Sequence, residues 1–96
     1  MTVAKRASDE ELQRLYQAFA DTDGPDRVEC LMEDLCTISE LHEMAQRLTV
    51  AFMLDAGESY LAIQEKTGAS ATTIARVSKC LNYGTGGYRS VIDRDL

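Results

Sequence analysis

The sequence predicts an all-α protein that forms a single domain over residues 1–96. Apolar residues recur three and four positions apart through most of the chain, which is the spacing of one helix face. No stretch alternates apolar and polar residues as a half-buried strand would. Capping residues and helix breakers separate the periodic segments. A chain of 96 residues suits one small domain.

The first two predicted helices are marked by the residues that start them. Ser8 and Glu11 have the S-x-x-E spacing of a capping box, and residues 12–19 follow with an apolar stripe at helical spacing. Residues 24–25, Gly-Pro, interrupt this pattern and start a second helix, because proline fits the first helical turn. Residues 28–35 carry the apolar stripe of that helix.

The third predicted helix is the longest and covers residues 39–56, after a second capping-box sequence at residues 37–40. It is apolar on several sides, with Val50 and others outside the main stripe, so we expect it to be the central helix. Gly57 is a suitable C-terminal stop. The main stripe consists of Leu41, Met44, Ala45, Leu48 and Phe52.

The C-terminal third predicts a pair of short helices and a tail. Residues 59–66 form the first helix, Gly68 makes a tight turn, and residues 70–81 form the second helix with Ser70 as its N-cap. Residues 82–87 are a cluster of helix breakers, and residues 88–96 form a last short helix.

The pair of short helices over residues 59–82 has the helix-turn-helix pattern, since a glycine lets the chain reverse between them. We expect Ile63, Ile74 and Val77 to clamp the two helices together. Small and hydroxylic residues at the start of the second helix allow a close approach to base edges, and its basic residues reach bases or phosphates. The alternative from this pattern alone is a plain helical hairpin. The predicted DNA-binding residues are Gln64, Ser70, Ala71, Thr72, Thr73, Ala75, Arg76 and Lys79.

The charge distribution confines any DNA contact to the C-terminal third. The chain has a net charge of -6, with 10 basic and 16 acidic residues. Between residues 59 and 90, however, Lys66, Arg76, Lys79 and Arg89 stand against Glu65 alone, a net charge of +3. A nucleic-acid partner is therefore compatible with this segment, whereas the acidic remainder would repel phosphate.

Other function classes find little support. The three cysteines are odd in number and lie too far apart for the paired ligands of a zinc site, so we expect free thiols and no metal. No apolar run approaches 18 residues, which argues against a membrane span, and residues 1–9 do not read as a secretory signal. The chain also lacks the paired carboxylates, Cys-His arrangement or phosphate-cradling loop of an enzyme. We therefore expect a cytoplasmic protein without catalytic residues.

An ordered series of motifs resembles the YerC/YecD-type branch of the Trp repressor superfamily. The series comprises DLCTI at 34–38, AQRL at 45–48, TGAS at 67–70 and CLNYG at 80–84. Together these motifs are much more specific than a lone helix-turn-helix, and the resemblance extends from about Leu12 to Tyr88. It implies a bacterial, all-helical, intertwined homodimer that binds operator DNA.

The resemblance also implies a candidate effector pocket. The best-known member of the superfamily holds L-tryptophan between two arginines, with a threonine on the carboxylate side; Arg47, Arg76 and Thr73 match these positions. Val77 stands where that member has glycine, and its branched side chain would fill the space an indole needs, at a cost of about 1–3 kcal/mol. We therefore expect no L-tryptophan cofactor, and either a small anionic effector or none. Alternatively, Arg47 forms a surface ion pair with Glu43.

The sequence thus predicts a transcription regulator that binds specific DNA sequences as a homodimer through its helix-turn-helix. We expect it to act as a repressor. The apolar stripes before Gly57 are more than a chain of 96 residues buries comfortably, which argues for a second copy. The alternative is a helical protein–protein interaction module that does not bind DNA.

Overall fold

The structure is a computed structural model that describes residues 6–94. These residues form α-helices and no strand, so the predicted all-α class is confirmed. Residues 95–96 of the predicted last helix, and most of the segment judged not to be a secretory signal, lie outside the described range. The helices are α1 (Asp9–Ala20), α2 (Gly24–Leu35), α3 (Ile38–Asp55), α4 (Tyr60–Thr67), α5 (Ala71–Tyr83) and α6 (Gly87–Arg94).

The chain divides into two compact units, with the boundary between Thr37 and Ile38. In the first unit, the Ser8 hydroxyl oxygen accepts a hydrogen bond from the Glu11 backbone N–H at 3.1 Å, as the capping box predicts. Pro25 lies in the first turn of α2, also as predicted. That residues 1–96 behave as a single domain stays a prediction.

Helices α1 and α2 do not bury a single residue, although both carry the predicted apolar stripes. Tyr16 is 56% exposed and Leu35 is 52% exposed. A helix with a hydrophobic stripe is normally stabilised by packing that stripe against another element. Within this chain, that packing is incomplete.

The second unit contains the hydrophobic core. Helix α3 packs against α4, α5 and α6, which confirms its prediction as a central helix within this unit. The core consists of fully or almost fully buried side chains from all four helices and from the turn before α5. Its members are Val50, Ala51, Ile63, Ala69, Ile74, Val77 and Ile92.

The predicted core face of α3 is wrong in part. Val50 and Ala51 are fully buried, whereas Leu48 on the predicted stripe is 39% exposed and Ala45 is exposed as well. The intrachain core therefore takes a neighbouring face of α3, and the predicted stripe is left partly open. An all-round apolar helix presents two usable faces, and its periodicity alone does not decide between them.

Helix α5 is longer than predicted and ends at Tyr83 rather than at residue 81. The Asn82 side-chain amide donates to the Ser78 backbone oxygen at 2.9 Å, and the Gly84 N–H donates to the Cys80 oxygen at 2.9 Å. These bonds extend the last turn of α5 into residues 82–84, which belong to the segment predicted to end the helix. Helix α6 begins at Gly87, one residue earlier than predicted.

None of the helices in residues 6–94 combines the length and apolarity needed to cross a bilayer.

Candidate nucleic-acid interface

The turn between α4 and α5 is built around Gly68. Its φ of 76° lies in the left-handed region, and its N–H donates to the Gln64 oxygen at 2.9 Å to close α4. A Cβ atom at this position would meet nothing within 4 Å. The glycine is therefore required by backbone conformation and not by crowding.

Three apolar side chains clamp the two helices, as the sequence predicts. Ile63 of α4 and Ile74 of α5 are fully buried, and Val77 is 1% exposed. Ala69 in the turn is 4% exposed and belongs to the same core. Because α5 is fixed along this face, its opposite face is held outward.

A second set of contacts locks the turn through hydrogen bonds. The Thr67 hydroxyl donates to the Ile63 oxygen at 2.7 Å and accepts from the Ala69 N–H at 3.1 Å. From α3, the Gln46 side-chain amide donates to the Thr67 backbone oxygen at 3.1 Å. This bond satisfies a carbonyl at the end of α4 that has no partner within the helix.

Gln46 is a site-positioning residue that the sequence analysis missed. It lies within the AQRL motif, so the resemblance marked the segment without giving the residue a role. Its partner is 21 positions away in the sequence, and no local spacing rule links them.

The predicted DNA-binding residues differ in their exposure. Gln64 and Thr73 are half-buried, and Ser70 is exposed and accepts from the Thr73 N–H at 3.1 Å as the N-cap of α5. The remaining residues form one exposed outer face of α5, which we call the reading face: Ala71, Thr72, Ala75, Arg76 and Lys79.

Ion pairs neutralise part of the positive charge of residues 59–90. Lys66 pairs with Glu58 at 2.5 Å, and Arg89 pairs with Asp55 at 2.7 Å and with Asp93 at 3.4 Å. The hydrogen bond that Arg89 donates to the Asp55 carboxylate raises the pKa of the Arg89 guanidinium. The net charge of +3 over residues 59–90 therefore overstates the positive field, since two of its four cations are offset by acids outside that window.

Arg76 and Lys79 remain as the cations of the reading face. Neither takes part in an ion pair within the described part of the chain. They are three residues apart on one helix, so they extend from neighbouring positions of the same face.

The residues of the candidate effector pocket lie in different environments within residues 6–94. Val77 is buried in the core, Arg76 is exposed, and Arg47 is half-buried without an ion pair to Glu43. Thr73 shares a hydrogen bond with Ser70 at 3.1 Å. Because Arg47 and Glu43 form no ion pair, the alternative prediction of a surface pair between them is wrong.

A surface cavity lies elsewhere, at the junction of α5 and α6. Its volume is about 460 Å³. No sequence pattern predicts this cavity, because the composition of residues 82–87 indicates only helix breakers. Its lining residues are Cys80, Gly84, Thr85, Gly87 and Tyr88.

The described residues contain no group of three or more His, Cys, Asp or Glu side chains arranged to hold a metal ion. Cys30, Cys36 and Cys80 are all free thiols.

Comparisons with known proteins agree on one family. Residues 10–96 match the Trp repressor protein family. The chain is 43% identical to the uncharacterized protein YerC of Bacillus subtilis (strain 168) over 84 residues, which cover 88% of this chain and 81% of the relative.

Two crystal structures are similar to this fold. One is a TrpR-like protein from Eubacterium eligens ATCC 27750, with a TM-score of 0.85, 44% identity and 88% of each chain covered. The other is a candidate Trp repressor from Staphylococcus aureus, with a TM-score of 0.85 and 33% identity, covering 91% of this chain and 87% of that one.

Proposed function

Because the chain belongs to the Trp repressor family, on its YerC-type branch, we propose that it is a bacterial transcription regulator that binds double-stranded DNA. The helix-turn-helix formed by α4 and α5 is the binding element, and the reading face of α5 enters the major groove. The family is one of regulators, and we assign the protein no catalytic residues. As a regulator of a bacterial chromosome it would act in the cytoplasm.

One observation carries the proposal: the buried contacts between α4 and α5 leave the reading face exposed. Its side chains are small near the N-terminus of α5 and cationic in the following turns. Thr72 is near the N-terminus, where recognition helices approach base edges, and its hydroxyl can donate or accept there. Arg76 lies one turn further on, within reach of a guanine edge or a phosphate.

The charge pattern supports the same orientation. Arg76 and Lys79 are unpaired in the described chain, whereas Lys66 and Arg89 serve intrachain ion pairs. Phosphate contacts therefore fall on α5 and not evenly over the C-terminal third. Because the rest of the protein is acidic, the duplex would be held away from it by repulsion.

The protein would act as an intertwined homodimer. Helices α1 and α2 bury no residue, and apolar residues of α3 outside the core also stay open, with Ile38 76% exposed and Leu48 39% exposed. A second copy of the chain would cover these stripes. Sedimentation that gives a well-folded monomer at micromolar concentration would contradict this assignment.

Free L-tryptophan is not expected to regulate the protein. Val77 stands where the resemblance to the tryptophan-binding member requires a glycine, and its branched side chain would fill the space that an indole needs. In this chain Val77 is 1% exposed and belongs to the core. Arg47 and Arg76 stay candidates for a small anionic effector, since a guanidinium group binds a carboxylate or phosphate through charge-assisted hydrogen bonds.

The test is selection of bound duplexes from a random pool, followed by titration of the selected site between roughly 50 and 200 mM salt. We expect pseudo-palindromic sites with half-sites about one helical turn apart, and an affinity that falls steeply with salt. Thr72→Ala and Arg76→Ala should each cost about 1–3 kcal/mol of binding free energy without loss of helicity.

Arg27→Ala is the matched control, because Arg27 is an exposed arginine of α2 and its removal changes the net charge equally. It should bind as the unmodified protein does. If a well-folded protein shows no salt-dependent duplex binding, the alternative of a helical protein–protein interaction module replaces this proposal.

A further inference from the structure

Tyr83 is the most exposed large apolar or aromatic side chain among residues 6–94, at 85% exposure. Its hydroxyl group has no hydrogen-bond partner within that range. The side chain contributes almost nothing to the packing of this chain. A phenol ring held in solvent with a free hydroxyl combines an apolar face and a donor, which is the combination found at binding surfaces.

The position of Tyr83 in the helix aligns it with the reading face. Thr72, Arg76, Lys79 and Tyr83 stand at positions i, i+4, i+7 and i+11 of one α-helix. At about 100° per residue, these four positions fall within roughly 60° of one another around the helix axis. All four are exposed.

The helix end that carries Tyr83 is fixed by its backbone. The Gly84 N–H donates to the Cys80 oxygen at 2.9 Å. A Cβ atom at Gly84 would lie 2.4 Å from that same backbone oxygen, so the chain can close this turn only because residue 84 is glycine. Tyr83 therefore lies on the last hydrogen-bonded turn of α5 and not on a loop.

The part of α5 from Thr72 to Tyr83 is longer than the major groove is wide. From Thr72 to Tyr83 the helix rises about 16 Å, whereas the major groove of B-DNA is about 12 Å wide. When the N-terminal end of α5 meets the base edges, its last turn lies at the rim, next to the sugar-phosphate backbone.

We propose that Tyr83 contacts the DNA backbone at the rim of the groove, with its hydroxyl donating a hydrogen bond to a phosphate oxygen. This inference rests on the proposed function and extends the interface by one helical turn beyond Lys79. Contacts of this kind fix the register of a protein on the duplex and do not read sequence.

The test is the substitution Tyr83→Phe, measured by fluorescence anisotropy on the selected duplex and on an unrelated duplex at several salt concentrations. We expect affinity to fall about fivefold on both duplexes, which is about 1 kcal/mol at 1.4 kcal/mol per tenfold change. The dependence on salt should stay the same, because a neutral hydroxyl group releases no counterion. Lys79→Ala should instead lower the salt slope by about 1.

Tyr88→Phe is the matched control, since Tyr88 lies on α6 outside the reading face and phenylalanine keeps its ring packed against the core; it should bind as the unmodified protein does. If Tyr83→Phe binds normally while Arg76→Ala and Lys79→Ala are weakened, the inference is wrong and the proposed function stands. If Tyr83→Ala shifts the sedimentation of the protein without DNA, Tyr83 belongs to a protein interface and the inference is again wrong. Absence of duplex binding by the unmodified protein would overturn both.

Discussion

Substitution of Gly68 by alanine should destabilise the protein by about 1–2 kcal/mol, through the backbone alone. The φ of 76° places this residue in the left-handed region, where an L-residue brings its Cβ atom close to the following carbonyl at about that cost. No other atom lies within 4 Å of the added Cβ, so no packing penalty is added. Gly68→Asn should cost less, because asparagine tolerates this conformation.

The assay is urea unfolding followed by far-UV circular dichroism at one protein concentration, because the stability of an associating protein depends on concentration. Gly87→Ala is the matched control. Gly87 begins α6, has no positive φ and also has open space around it, so alanine there should be neutral or stabilising by up to about 1 kcal/mol.

Equal shifts in the free energy of unfolding for Gly68→Ala and Gly87→Ala would refute a backbone penalty at Gly68. It is also refuted if Gly68→Asn is as costly as Gly68→Ala, since the penalty would then come from a contact of the side chain. DNA affinity provides a second measurement. Because Gly68 sets the angle between α4 and α5, Gly68→Ala should weaken duplex binding even without urea, where the protein is folded.

Three further outcomes follow from the same structure. Gly84→Ala should cost about 3 kcal/mol in urea unfolding, the upper end for overpacking, because the new Cβ would lie 2.4 Å from a backbone oxygen; a cost below that of Gly68→Ala would contradict the geometry. Gln46→Ala should cost about 1 kcal/mol and Gln46→Glu at least as much, since neither side chain can donate to the Thr67 oxygen; an unchanged midpoint for both would dismiss this clamp. Calorimetry with millimolar L-tryptophan should show no saturable heat; micromolar binding to the unmodified protein would refute the expectation that Val77 fills the indole space. Val77→Gly should lower the free energy of unfolding by about 3 kcal/mol, because it removes a buried side chain and because glycine loses more backbone entropy when it enters a helix.

The sequence was most informative where a local rule decides the structure. The caps at Ser8 and Ser70 and the turn at Gly68 each depend on residues within four positions of one another. Such contacts have sequence signatures, and the structure confirms them. The resemblance to a family added the overall topology, which no local pattern contains.

The remaining features depend on contacts between distant residues. The pairing of Arg89 with Asp55 spans 34 positions and changes the charge available to a partner. Val50 is buried in the core and Leu48 is not, and this depends on which helices pack against α3. The two residues lie on different faces of the helix, and each face has apolar residues at helical spacing. The extension of α5 by two residues to Tyr83 depends on a glycine at position 84 that lets the last turn close, although composition marks the segment as a breaker.

The bare surfaces of α1 and α2 have a consequence for amide hydrogen exchange. Each helix has 12 residues, a length at which an isolated helix is marginal in water, and neither buries a side chain in its own chain. In the proposed homodimer, these helices would be protected by the second copy alone. Their amides should therefore exchange faster as the protein is diluted, while those of Ile63 and Ile74 in the core keep a constant rate until the chain unfolds globally. Amide exchange in α1 and α2 would thus report subunit dissociation directly.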